Sequence, residues 1–189
     1  MPKAYRLFAI TRLLLKAAEI FVALIVILFG LALGALFVAS TNLYGNHLGI
    51  PAMLPHGIAR TDAMKIGYLV VIGVLLSFTL IFFAVRAVAA IVQTAISGDP
   101  FVNDNARRLT RIGALLVALV AIELATNMAV NGTMKRLADA HHVPVSAIGG
   151  FTFGPDLSPI GLFAILLIFV LAQIFRRGSE MRAELEGTV

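Results

Sequence analysis

Four stretches of this chain are built to cross a bilayer. Ile20–Ala39, Ile66–Val85, about Ile112–Val130 and about Leu157–Phe175 are each near 20 residues long, and only the third carries a charged side chain, Glu123. At a rise of about 1.5 Å per residue, roughly 20 residues cover a hydrocarbon core of about 30 Å. A surface helix of a soluble protein keeps a polar face, whereas these runs are apolar all the way round. Composition agrees, with 60% hydrophobic and 13% charged residues and a mean hydropathy of +0.97. A soluble domain has roughly a quarter of its residues charged. The expected fold is therefore all-α, a polytopic membrane protein forming a four-transmembrane-helix bundle in one membrane domain spanning residues 1–189.

The spacing places the first span at about 18–40, an outer loop at 41–65, the second span at about 66–97, a turn at 98–104, the third span at about 105–131, an outer loop at 132–157, the fourth span at about 158–177 and a tail at 178–189. Ahead of the first span, Arg6, Arg12 and Lys16 alternate with large apolar side chains, an interfacial lead-in whose bases reach toward headgroups. The first apolar run is too long for a cleaved signal peptide, whose core is about 7–15 residues. Gly45, Gly49, Pro51, Pro55 and Gly57 break up the first outer loop. Met134–His142 in the second can form a short helix. No breaker interrupts Arg86–Ser97, so the second helix extends beyond the hydrocarbon.

Gly98 then supplies a stop, and Asp99-Pro100 a turn. Asn103 or Asp104 is the expected N-cap of the third helix, and Asp104 and Arg108 are spaced to pair at i, i+4. The tail alternates Glu180, Arg182, Glu184 and Glu186, a short solvated helix.

Cytoplasmic segments retain an excess of Lys and Arg. Eleven of the fifteen fall on the side of both termini and the 98–104 turn, and four on the side of the outer loops. Both termini and the turn are therefore expected inside the cell membrane, N-in and C-in. The net charge of +5 follows from this topology, and no recognition module for direct nucleic-acid binding is present.

Glu123 is the one charge-bearing side chain deep in an apolar run, with Asn127 four residues on along the same face. A carboxylate at mid-bilayer costs about 2.5–3.5 kcal/mol on insertion scales, so it should face the protein interior. Two uses follow: a hydrogen-bonded or protonated Glu linking helices, with Asn127, Ser77 or Gln173 as partners, or a proton or cation relay in a small transporter or channel subunit. The first is favoured, because a transport path normally needs more than one such group. Gly30 and Gly34 form a Gly-x-x-x-Gly pair expected to pack against another helix of the same bundle, and they also permit a homo-oligomer.

His47, His56, His141 and His142 all fall in the outer loops. The adjacent pair would point about 100° apart on a helix, so no metal site is expected. No catalytic motif appears, and neither an enzyme nor a cofactor is expected. The chain lacks cysteine, which excludes disulfides and thiolate metal sites.

Arg107, Arg108, Arg111, Arg176 and Arg177 can hold anionic headgroups. Headgroup anchoring does not require Asp99, Pro100, Phe101 and Asn105 beside them. Gly98-Asp99-Pro100-Phe101-Val102 followed by Asn105, Arg108-Leu109 and Ile112-Gly113, with Phe175-Arg176, Gly178, Arg182, Glu184 and Glu186-Gly187-Thr188-Val189, resembles a bacterial family of four-helix membrane proteins of unknown function. Members often sit beside a small Cro/C1-type helix-turn-helix regulator. The resemblance implies a membrane partner for a transcription factor; the expectation is an inner-membrane sensor or tether whose cytoplasmic face, the turn and first turns of the third helix plus the C-terminal tail, binds such a regulator, with Asp99, Pro100, Phe101, Asn105, Arg107, Arg108, Arg111 and Arg176 as contact residues.

Overall fold

The computed structural model describes residues 3–40, 60–98, 100–145 and 159–186. Among them the protein is all-α, with four long helices and no strand: α1 Lys3–Ser40, α2 Arg60–Ile96, α3 Asn103–His141 and α4 Pro159–Glu186. All four are long and apolar enough to cross a membrane. Many of their large side chains are exposed, above all on α1 and α4, among them Leu13, Phe21, Leu31, Ile160, Phe163 and Leu166. In a chain this apolar, that surface is covered by lipid, where backbone groups must be satisfied within each helix.

The helices outrun the apolar stretches. At 38, 37 and 39 residues, α1 to α3 measure about 55–58 Å, nearly twice a hydrocarbon core of roughly 30 Å. Three expectations change accordingly. α2 begins at Arg60 rather than after Lys65, with Asp62 in its first turn and a 2.6 Å ion pair from Lys65 Nζ to Asp62 Oδ1; an acidic side chain there complements the helix dipole. Met134–His141 is no separate helix, because α3 continues straight through it. The tail is likewise the end of α4, continuous through Gly178 to Glu186.

α3 stops in a Schellman motif. Val143 N–H donates to Ala138 O at 3.0 Å and His142 N–H to Asp139 O at 3.4 Å, with His142 left-handed at φ 54°. His is among the non-glycine residues that enter this region more readily.

Contacts gather into two units. One comprises residues 1–24, 79–120 and 155–189, the other 25–78 and 121–154. In the first, Gly113 of α3 meets α4, where a Cβ would lie 2.8 Å from Phe169 Cζ. Arg86 Nε of α2 lies 3.5 Å from Glu19 Oε1 of α1. In the second, Gly73 lets α2 approach α3, since a Cβ there would meet Thr126 Cγ2 at 2.5 Å. Phe29 of α1 stacks on Phe78 of α2 with centroids 6.2 Å apart. The buried side of α3 in this unit runs Glu123, Thr126, Val130, Met134 and Ala138, a helical stripe at steps of three and four.

The eleven bases counted with the termini all belong to the first unit, and the four counted with the outer loops to the second.

Among the described residues, nothing packs against Gly30 or Gly34, contrary to expectation. Both are exposed, with nothing within 4 Å of an added Cβ. Close approaches fall instead at Gly73, Gly113 and Gly178, where a facing side chain fills the space.

Candidate functional site

The α2–α3 turn is held by one buried amide. α2 ends with Ser97 Oγ on Thr94 O at 2.8 Å and Gly98 at φ 91°, a conformation glycine enters without a Cβ clash. The chain then turns through Pro100 and Phe101, and α3 starts at Asn103. The cap position falls on Val102, whose carbonyl accepts from Asn105 N–H at 2.9 Å, rather than on Asn103 or Asp104.

Asn105 is fully buried, at 0% exposure. Its Nδ2 donates to Thr94 Oγ1 at 2.6 Å and to Pro100 O at 2.9 Å. Its Oδ1 accepts from Arg108 Nη1 at 2.9 Å, and the same guanidinium nitrogen reaches Ala90 O at 3.4 Å. The Thr94 hydroxyl in turn donates to Ile91 O at 2.7 Å. One side chain thereby ties the last turns of α2, the turn carbonyl and the first turn of α3. Arg108 turns inward to Asn105 and Ala90 instead of pairing with Asp104.

Phe101 clamps the turn to α4. Its ring lies 5.3 Å from that of Phe175. Gly178 leaves the space it occupies, because a Cβ there would stand 2.9 Å from Phe101 Cδ1. Beside the ring opens a groove of about 630 Å³, lined by Phe101, Arg107, Arg176, Ser179, Glu180 and Arg182 among others.

The structure therefore divides the residues singled out in the sequence. Phe101, Arg107 and Arg176 line the groove, while Pro100, Asn105 and Arg108 build the turn behind it. Arg111 is exposed but does not line this groove. Asp99 lies outside the described residues, as do His47, His56 and residues 187–189. Thr94, Ser179 and Ala183 were missed: a threonine and two small residues give no sequence signal until the turn brings Asn105 to one and Phe101 toward the others.

Glu123 belongs to a separate polar patch. It is 7% exposed, and Thr126, one turn on, donates to Ile122 O at 2.8 Å. Ser77 is 2% exposed, and among the described residues its Oγ has no hydrogen-bond partner. Gly73, one turn before Ser77 on α2, approaches Thr126, one turn after Glu123 on α3. Asn127 is half-buried beside them, and Gln173 belongs instead to the α3–α4 side with Thr110 and Phe169. Among the described residues, no three His, Asp or Glu side chains gather as metal ligands.

Residues 46–189 match the model of a family described as a protein of unknown function, DUF2975, and the chain belongs to that family. No curated protein and no solved structure matches it.

Proposed function

We propose that this protein is a multi-pass inner-membrane sensor or tether, with both termini cytoplasmic, that binds a small cytoplasmic transcriptional regulator on its α2–α3 turn and the end of α4. The observation that carries the reading is the preformed turn. A connection that merely reversed the chain would need no fully buried amide with three side-chain hydrogen bonds, nor an aromatic seated over Gly178. A surface already ordered before binding loses less entropy when a partner docks. Phe101, 44% exposed, offers an aromatic anchor with Arg107 and Arg176 around it, and aromatic and arginine side chains dominate binding energy at interfaces.

The side assigned to this surface follows from the eleven bases gathered with it, the excess expected of cytoplasmic segments. The sequence resemblance adds the chemical class of partner, a helix-turn-helix regulator. A switch would further require that the partner prefer one of two packings of the helices. Capture of a helix-turn-helix protein by the wild-type chain, lost in Phe101→Ala and Arg107→Ala, tests the reading; unchanged capture removes the turn from the mechanism.

The buried patch around Glu123, with a Ser77 hydroxyl unpartnered among the described residues, favours a second reading as a small transporter or channel subunit. Loss of ion flux in Glu123→Gln with regulator capture intact would make that the primary function.

A further inference from the structure

We propose that the α3–α4 face holds one anionic phospholipid, with its phosphate on Arg107 and Arg176 and an acyl chain running along α4. A second groove, of about 260 Å³, is lined by Thr110, Leu166, Phe169, Val170, Gln173 and Arg176. It shares Arg176 with the groove beside Phe101, so an apolar groove and a basic groove meet at that side chain. The join falls where the uncharged run of α4 gives way to Arg176-Arg177, the level at which hydrocarbon gives way to headgroups.

The chemistry at each end matches half of a phospholipid. Among the described residues neither Arg107 nor Arg176 has an acidic ion-pair partner, and both are exposed. Guanidinium groups bind phosphate in a fixed fork. Val102 and Asn103 line the same groove, placing the positive end of the α3 dipole there. Among the described residues Glu180 is the one acidic side chain lining it, set against Arg107, Arg176 and Arg182.

Leu166, Phe169 and Val170 supply the apolar wall, deeper along α4. A soluble acidic peptide would reach the arginines but not that wall, which lies within the hydrocarbon-spanning run. A lipid covers both, so the occupant spanning the two grooves is a lipid, and a regulator seated on Phe101 would share Arg107 and Arg176 with its phosphate. This inference does not rest on the regulator reading.

The test is native mass spectrometry of the full-length protein from detergent, titrated with dioleoyl phosphatidylglycerol. Tighter binding than of dioleoyl phosphatidylcholine is expected. Arg107→Gln should weaken it about five-fold and Arg107→Gln/Arg176→Gln roughly twenty-five-fold, the factors equivalent to about 1 kcal/mol per arginine. Arg111→Gln/Arg177→Gln removes the same charge from outside the two grooves and should change binding less than about two-fold. Val170→Trp should fill the apolar end and weaken the dioleoyl lipid.

Equal weakening by the Arg111/Arg177 pair would reduce the site to general attraction and overturn the proposal. So would dihexanoyl phosphatidylglycerol or inorganic phosphate binding as tightly as the dioleoyl lipid, or a hexaglutamate peptide displacing it at equal concentration. Circular dichroism of each variant, all at exposed positions, checks that the fold is retained.

Discussion

Replacing Asn105 by alanine should loosen the α2–α3 turn without unfolding the helices. The substitution deletes two bonds to neutral oxygens, Thr94 Oγ1 and Pro100 O, and one from the Arg108 guanidinium. At about 1 kcal/mol for each neutral bond and about 2 for the charged one, the gross loss is roughly 4 kcal/mol. Part is recovered. Thr94 keeps Ile91 O, and Arg108 keeps Ala90 O and is half-buried, within reach of water. A net cost of about 2 kcal/mol remains, equivalent to roughly thirty-fold in a local opening equilibrium. Hydrogen exchange over Val102–Ala106 reads that factor directly, while mid-helix amides near Val74 and Val130 should keep their protection. Asn103→Ala, at an exposed neighbouring position, is the control. Unchanged exchange in Asn105→Ala, or the same acceleration in Asn103→Ala, would refute the claim that this amide holds the turn.

Other perturbations give separable results. Gly73→Ala should overpack the α2–α3 contact against Thr126 and cost about 1–3 kcal/mol in thermal unfolding, with Thr126→Ala restoring much of it; no rescue would place the strain elsewhere. Gly34→Ala, with open space around it, should shift the melting point little, so a large drop would mean that α1 is covered by a partner. Gly178→Leu should displace Phe101 and reduce regulator capture, and retention of full capture would separate the clamp from binding. Arg86→Ala should cost less than about 1 kcal/mol, because the pair with Glu19 is largely exposed.

The transmembrane class was legible because nothing in the four apolar runs competes with the hydropathy signal, even Glu123, which turns to the buried stripe of α3. Helix ends were less legible. Hydropathy reports where the hydrocarbon stops, but a helix continues until a breaker or cap intervenes, which is why α2 starts early at Arg60 and α3 runs on to His141. The capping rule also misled at Asn103 and Asp104, because the polar side chain that closes the turn is Asn105, and it bonds backward to Pro100 and across to Thr94, eleven residues away. Gly30-x-x-x-Gly34 suggested a packing face from spacing alone. Spacing says where helices can approach, and only the opposing side chains, Thr126, Phe169 and Phe101, decide where they do. The residues that carried the family resemblance find structural roles together: Gly98 at the stop, Asn105 with Arg108 inside the turn, and Phe101 between Phe175 and Gly178.

The central claim, a regulator docked on the turn, is tested most directly by photocrosslinking in the cell of origin from a probe at Asn103, with an equal probe at Lys135 on the other unit, followed by mass-spectrometric identification of the adduct. The account requires a small helix-turn-helix protein captured from Asn103 and not from Lys135, with yield falling in Asn105→Ala. Equal capture from both positions, or adducts from Asn103 consisting only of lipid and of the chain itself, would contradict it.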